Sequence, residues 1–168
     1  PLLQKRAEEA VSESLKELRK RVPDAQMALL ALDPSDGRIL AMVGGSDYRE
    51  TSFNRALLAK RQLGSTVKPL TLMGVFEADP TLSPATFIED KAIQREGPTG
   101  IWEPTNYDGK FKGTMTLREA VSTSRNIPAV LMAERLGYKK LQGLLHKVGL
   151  PEAHSLPSTS LGAFEASP

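Results

Sequence analysis

The most informative stretch of this sequence is Arg61-Gln62-Leu63-Gly64-Ser65-Thr66-Val67-Lys68-Pro69. It predicts a helix from near Ser65 to about Ala78, because Pro69 is tolerated only in a first helical turn. Ser65 and Lys68 are three residues apart, so a helix places them on one face. A lysine amine can accept a serine proton when burial or a nearby cation lowers its pKa. The spacing thus indicates a serine nucleophile with a lysine base; the alternative is a helix-start serine followed by a solvated lysine.

The composition excludes several kinds of catalytic and binding site. The chain has 168 residues, no cysteine and two histidines, which excludes a disulfide, a thiolate nucleophile and a Cys- or His-rich metal site. The net charge is +2 without a long run of one sign, which argues against a nucleic-acid partner. No apolar run approaches the roughly 20 residues that span a bilayer. We expect no metal and no cofactor, and proton chemistry based on carboxylates, lysine or tyrosine.

The residues before the Ser65 stretch predict one helix and one hairpin. Residues 3–22 have an apolar residue at every third or fourth position, which is typical of an amphipathic helix. The apolar runs Met27–Leu32 and Arg38–Val43 flank the turn sequence Asp33–Gly37 and predict two antiparallel strands. Because both runs are nearly continuous, we expect burial on both faces. The apolar stripe of the helix consists of Leu3, Ala7, Val11, Leu15, Leu18 and Val22.

The residues after the stretch predict a long loop and three helices. Residues 79–113 are rich in proline and glycine and are expected to be irregular, as functional surfaces often are. Thr116 and Glu119 form a capping box that opens a helix. A second helix ends at Gly137, and a third is expected over residues 139–148.

Ser124-Arg125-Asn126 interrupts these helices and is a second candidate for chemistry. A hydroxyl and an amide two residues apart, in a break between helices, can both project into one cleft. The hydroxyl can relay a proton, and the amide can hold a substrate carbonyl. The alternative is a helix cap, in which these side chains bind free backbone groups.

Several ordered segments together resemble class A penicillin-binding proteins. Arg61–Pro69 resembles the active-serine segment of that family, and Ser124–Val130 resembles its second motif. The similarity covers essentially the whole chain. The other similar segments are Asp33–Gly45, Phe53–Ala56, Trp102–Pro104 with Asn106–Gly109, and Leu161–Glu165.

The resemblance implies an α/β (α+β) fold of the β-lactamase/transpeptidase type, with an antiparallel sheet and a large helical subdomain. Residues 1–168 would be one incomplete transpeptidase domain: 1–45 the helix and hairpin, and 46–168 the mostly helical part that carries the active serine. The family's third motif, Lys-Thr-Gly, does not occur and is expected in a missing C-terminal half. The hairpin would then have an exposed edge that favours self-association.

The resemblance also implies a peptidoglycan D,D-transpeptidase or carboxypeptidase from a bifunctional class A protein. Ser65 would attack the penultimate D-Ala of a stem peptide, with Lys68 as base, Ser124 as proton relay and Asn126 as holder of the substrate amide and the Lys68 amine. β-Lactams would acylate the same serine. The parent protein would act in the periplasm or on the extracytoplasmic face of the membrane, through an anchor outside this chain.

Two aromatic residues lie in the family-like segments, and functions other than a transpeptidase are also considered. Trp102 and Tyr107 either line a substrate groove or pack the loop that carries them. Instead of an enzyme, the chain could be a non-turnover penicillin-binding sensor or an interaction module on the same scaffold. A β-lactamase is disfavoured, because no segment resembles the deacylating glutamate region of those enzymes.

Overall fold

A computed structural model describes residues 2–49, 51–97 and 100–167 of the chain. The polypeptide divides into two units, one of Pro1–Arg61 with Ala166–Pro168 and one of Gln62–Glu165. Helices and short antiparallel strand pairs occur together, as expected for a mixed fold. Within the described ranges, no helix has both the length and the apolar character needed to cross a membrane.

The first unit packs helix α1 (Leu2–Arg19) on a β-hairpin of strands β1 (Leu29–Leu32) and β2 (Ile39–Val43). Strands β1 and β2 pair antiparallel around the turn at Asp33–Gly37, in which the Gly37 N–H donates to the Asp33 carbonyl at 2.8 Å. Their inner face meets one side of helix α1 and forms a small apolar core. The unit also contains the short helix α2 (Arg55–Leu58).

Two predictions for this unit are wrong in detail. Helix α1 ends at Arg19 rather than near residue 22, and its buried stripe consists of three residues, Ala7, Val11 and Leu15. The hairpin is not buried on both faces: Ala41 and Val43 are buried, but Ile39 and Leu40 are exposed. Because α1 covers one face of the hairpin, only alternate residues of β2 reach the core.

The second unit is mainly helical and carries every candidate site residue. Strands β3 (Arg61–Gln62) and β8 (Glu165–Ala166) lie at the chain boundaries of the two units. Between them come a 3₁₀ turn (Gly64–Val67), α3 (Lys68–Ala78), β4 (Phe87–Asp90), β5 (Arg95–Gly97), β6 (Gly100–Trp102), β7 (Gly113–Thr116), α4 (Leu117–Ser122), α5 (Asn126–Leu136), α6 (Tyr138–Lys147) and a second 3₁₀ turn (Pro157–Leu161).

Helices α3, α5 and α6 surround the apolar core of this unit. Val67 and Val75 contribute from the segment that carries Lys68, and α5 contributes its small residues Ala129 and Ala133. This packing fixes the start of α3 against the rest of the unit. Helix α6 runs from Tyr138 to Lys147, one residue earlier at each end than predicted.

The expectation that residues 79–113 are irregular is wrong in part, because three short strands, β4, β5 and β6, lie within this range. Strand β4 pairs antiparallel with β7, with Asp90 opposite Gly113, and β5 pairs with β6. The prolines Pro80, Pro84 and Pro104 lie outside these strands, so they mark turns as expected. Strands of three or four residues are too short to show a clear alternation of polar and apolar residues.

Candidate active site

The segment before Ser65 is held by backbone hydrogen bonds. The Leu63 N–H donates to the Phe164 carbonyl at 3.2 Å, and the Gly64 N–H donates to the Gly162 carbonyl at 3.1 Å. Ser65 follows in the 3₁₀ turn with its side chain exposed. Residues three apart in a 3₁₀ turn lie above one another, so Ser65 and Lys68 share one side, as predicted for a helix.

The contact with Gly162 requires glycine at that position. Gly162 has φ +69°, a backbone conformation that disfavours side chains. A Cβ atom on Gly162 would lie 2.5 Å from the Gly64 nitrogen and closer still to the Gly64 carbonyl oxygen. The backbone beside Ser65 is thus set by a glycine almost a hundred residues later in the chain.

Lys68 is buried at the first residue of α3, with 2% of its surface exposed. Its ammonium group donates to the Ser124 carbonyl at 2.6 Å, to Ser124 Oγ at 3.1 Å and to Asn126 Oδ1 at 2.8 Å. The structure therefore brings Lys68, Ser124 and Asn126 together, from positions more than fifty residues apart. The Ser65 hydroxyl is not among these partners of Lys68 Nζ.

The surroundings of Lys68 favour its neutral form. Burial and then the nearby Arg125 guanidinium lower the pKa of Lys68 from 10.5 to about 8. All three acceptors of the ammonium are uncharged oxygens, so no carboxylate compensates for the buried positive charge. A lysine with such a pKa is a usable general base near neutral pH. Among the residues described, no cluster of three or more His, Asp or Glu side chains could hold a metal ion.

The loop that supplies the acceptors has an unusual backbone. Ser124 lies between α4 and α5 with φ +55°, the only described non-glycine residue with positive φ. Such a conformation costs about 1–3 kcal/mol and persists only when surrounding contacts hold it. The Ser124 N–H donates to the Val121 carbonyl at 3.0 Å, and the Arg125 N–H donates to the Ala120 carbonyl at 2.9 Å. These bonds direct both Ser124 oxygens toward Lys68.

A buried ion pair that the sequence does not predict lies beside this loop. Arg125, 6% exposed, donates through Nε to Asp90 Oδ2 at 2.8 Å and through Nη1 to Asp108 Oδ2 at 2.9 Å. The Lys110 N–H and then Arg125 hold the pKa of Asp108 below its usual range. Asp108 belongs to a family-like segment, but no feature of the sequence pairs Arg125 with Asp90.

The two aromatic candidates are placed differently. Trp102 is half-buried on β6, opposite Arg95 on β5. Tyr107 is fully exposed and directly follows Asn106 in the loop that contacts Asn126. Within the described part of the chain, neither aromatic residue is hydrogen-bonded to Lys68 or Asn126.

Comparisons with known proteins agree with this fold. A family model described as the penicillin-binding protein transpeptidase domain matches residues 27–165. Penicillin-binding protein 1B of Vibrio cholerae is 35% identical over 172 aligned positions, which cover 100% of this chain and 22% of the relative. Penicillin-binding protein 1A of Neisseria meningitidis is 36% identical, covering 87% of this chain and 19% of the relative. The chain therefore belongs to the penicillin-binding protein transpeptidase family.

Solved structures of penicillin-binding proteins share this fold. Penicillin-binding protein 1A from Haemophilus influenzae superposes with a TM-score of 0.81 at 29% identity, covering 88% of this chain and 22% of that one. Penicillin-binding protein A from Mycobacterium tuberculosis, solved as an imipenem acyl-enzyme complex, shares the fold with a TM-score of 0.66 at 22% identity, covering 84% of this chain and 43% of that one. The relatives confirm the resemblance to the class A transpeptidase domain. The chain spans about a fifth of the length of the first relatives.

Proposed function

We propose that this chain carries the acylation site of a peptidoglycan transpeptidase, with Ser65 as nucleophile and Lys68 as base. One observation carries the proposal: a buried amine with a lowered pKa, one turn after an exposed serine, bonded to Ser124 and Asn126. A buried lysine without a carboxylate partner is costly, so its presence favours a catalytic role over a structural one.

The proposed reaction has two steps. Ser65 Oγ attacks the carbonyl carbon of the penultimate D-Ala of a stem peptide, and its proton passes to the neutral Lys68 amine. The C–N bond to the terminal D-Ala then breaks, and the departing amine takes a proton through the Ser124 hydroxyl, which is 3.1 Å from Lys68 Nζ. The amine of a second stem peptide next attacks the ester carbonyl; the new C–N bond forms the cross-link, the C–O bond to Ser65 Oγ breaks, and a proton from the attacking amine passes to Ser65 Oγ.

The same ester explains two related outcomes. Water in place of the second amine would release the shortened stem peptide, which is a carboxypeptidase reaction. A β-lactam would undergo the same attack on its ring amide, with its nitrogen taking the proton, and would leave a Ser65 ester. Both outcomes depend on the same serine and lysine.

Asn126 can bind both Lys68 and a substrate amide, as the proposal requires. Its Oδ1 accepts from Lys68 at 2.8 Å, and one N–H of Nδ2 donates to the Thr105 carbonyl at 2.8 Å. An amide nitrogen has two N–H groups, so the second can donate to a substrate carbonyl.

We also propose that Tyr107 and Trp102 line the substrate groove. Tyr107→Ala should then raise the half-saturating substrate concentration without changing the maximal rate.

Labelled penicillin tests the assignment of Ser65. The complete natural polypeptide that contains this sequence should be labelled on the peptide that includes Ser65, as read by mass spectrometry. Ser65→Ala should abolish the label, whereas Ser122→Ala, which alters an exposed serine bonded to the Glu119 carbonyl, should keep it. Equal labelling of Ser65→Ala and the parent would refute the assignment. Labelling without stem-peptide turnover would instead indicate the sensor-like alternative.

Location and partners follow from the same proposal. We propose that residues 1–168 form part of one transpeptidase domain of a bifunctional protein acting on the extracytoplasmic side of a bacterial membrane. In the described structure β1 pairs with β2 alone, and Leu32 is half-exposed. An apolar strand edge of this kind favours pairing with another strand, either from the rest of the domain or from a second copy. Analytical ultracentrifugation of the 168-residue chain would detect the second case.

A further inference from the structure

Helix α5 begins at Asn126 without a side-chain cap of its own. Its N-cap residue, Arg125, makes no capping hydrogen bond, because its guanidinium points to Asp90 and Asp108. The cap comes from Asn106, twenty residues earlier. Asn106 Oδ1 accepts from the Asn126 N–H at 2.8 Å and, more weakly, from the Ile127 N–H at 3.4 Å.

The other end of the Asn106 amide is fixed as well. Its Nδ2 donates to Asp90 Oδ1 at 2.7 Å and to the Lys110 carbonyl at 2.9 Å. Asn106 is 3% exposed, so water does not compete for these bonds. A flipped amide would turn its NH₂ group toward two N–H donors and its oxygen toward a carboxylate, so one orientation is specified.

Asp90 connects Asn106 to Arg125, which lies between Ser124 and Asn126 in the chain. It is completely buried and accepts from Asn106, from the Lys112 N–H at 3.0 Å and from Arg125 Nε at 2.8 Å. Arg125 also donates to the Lys110 carbonyl. A buried carboxylate is tolerated when such bonds satisfy it, and here one comes from the Ser124–Asn126 loop through Arg125 and two come from Asn106 and Lys112.

The hydrogen bonds of Asn106 and its neighbour Thr105 reach Asn126, which accepts from Lys68. Asn106 holds the backbone N–H of Asn126, while the carbonyl of the preceding residue, Thr105, orients the Asn126 side chain. Asn126 Oδ1 then faces Lys68 Nζ at 2.8 Å. We infer that Asn106 is a positioning residue for the proposed acyl transfer, holding Asn126 and the strained Ser124 loop in place around Lys68 together with Asp90 and Arg125. The inference rests on the proposed function, because it assigns a role within that site.

Loss of Asn106 should affect the reaction more than binding. Without its cap, the first turn of α5 can shift, and the acceptors of Lys68 shift with it. A displacement of about 1 Å in a catalytic group can lower a rate by about 100-fold. Asn106→Ala should therefore reduce the maximal acylation rate by roughly 10- to 100-fold, with a smaller change in the half-saturating penicillin concentration.

Three variants and one control test this role in the complete natural polypeptide. Asn106→Ala removes the bonds, and Asn106→Asp places a carboxylate beside the Asp90 carboxylate. The double variant Asn106→Asp with Asp90→Asn exchanges the amide and the carboxylate. The pair then again has a single negative charge and an amide N–H that can donate to the carboxylate. Asn54→Ala is the matched control, because Asn54 also caps a helix, α2, by accepting the Ala56 N–H at 3.1 Å. Thermal melting accompanies every variant.

Two readouts are measured. The first is the rate of Ser65 acylation by labelled penicillin over a range of concentrations. The second is amide hydrogen exchange at Asn126 and Ile127, which does not depend on any activity. We expect Asn106→Ala to lower the rate and to speed exchange at these two amides, and Asn54→Ala to change neither. The double variant should regain at least about tenfold in rate over Asn106→Asp, because coupled neighbours are not additive.

Each outcome decides the inference. An Asn106→Ala rate within about threefold of the parent, or unchanged exchange at the two amides, overturns it. If that variant does not fold, a double variant no better than Asn106→Asp overturns it. If penicillin never labels the parent, the proposed function fails separately, and the exchange rates at Asn126 and Ile127 still decide whether Asn106 holds this loop.

Discussion

Replacing Lys68 with methionine should change how the stability of the protein depends on pH. In the folded protein the pKa of Lys68 is lowered to about 8, whereas an exposed lysine in an unfolded chain titrates at about 10.4. Between these values the unfolded chain binds more protons than the folded protein, so the free energy of unfolding rises with pH. Methionine has a similar length but no charge, so Lys68→Met removes this dependence.

The size of the effect follows from the two pKa values. Between about pH 7 and pH 10 the parent should gain about 2 to 3 kcal/mol in free energy of unfolding relative to Lys68→Met. Arg125, the nearest cation, stays charged throughout this range, and groups far from Lys68 contribute equally to both proteins. Urea unfolding at several pH values, followed by the fluorescence of the single tryptophan, Trp102, measures the difference.

The control is Lys139→Met, which replaces an exposed lysine on α6. Its free energy of unfolding should stay parallel to that of the parent over the whole pH range. Parallel curves for Lys68→Met as well would show that the folded protein does not lower the pKa of Lys68. Lys68 would then have no lowered pKa to make it a base near neutral pH, whatever the penicillin experiment shows.

Other substitutions test single contacts. Gly162→Ala should lower the melting temperature and slow Ser65 acylation, because its Cβ would displace Gly64; Gly149→Ala, at φ +88° with open space, should cost only about 1–2 kcal/mol in unfolding experiments and leave acylation unchanged. Thr116→Ala removes the bond from the Glu119 N–H to Thr116 Oγ1, so urea unfolding should show a loss of about 1 kcal/mol; no loss would mean that this cap adds nothing to stability.

Short-range features were predictable from the sequence. The helix that ends at Ala78, the cap at Thr116 and the break at Ser124–Asn126 each depend on residues within one or two turns of each other. The predicted helix start near Ser65 was only partly right, because Gly64–Val67 form a 3₁₀ turn and the α-helix begins at Lys68. The order of the family-like segments also identified the family, because several matching words in sequence are far more specific than one. In each case the relevant residue types and their spacing are directly visible in the chain.

The strands between α3 and α4 were not predictable in the same way. Their residues Phe87–Asp90 and Gly113–Thr116 pair across more than twenty positions, and neither segment is long enough to show a periodic pattern. The prediction that the hairpin of the first unit is buried on both faces failed for a related reason. Its apolar residues are nearly continuous, and the position of α1 alone determines which of them, Ala41 and Val43, are buried.

The sequence by itself determined the candidate nucleophile, its lysine three residues later and the Ser-Arg-Asn word that follows, because short spacings on a helix specify a shared face. Only the tertiary structure decided what surrounds the lysine amine. Its acceptors on Ser124 and Asn126 and the guanidinium of Arg125 come from one segment, and the supporting amide of Asn106 comes from a second, both distant from Lys68 in the sequence. Burial and electrostatic effects depend on distance in space rather than along the chain, so the lowered pKa of Lys68 arises only in the folded protein.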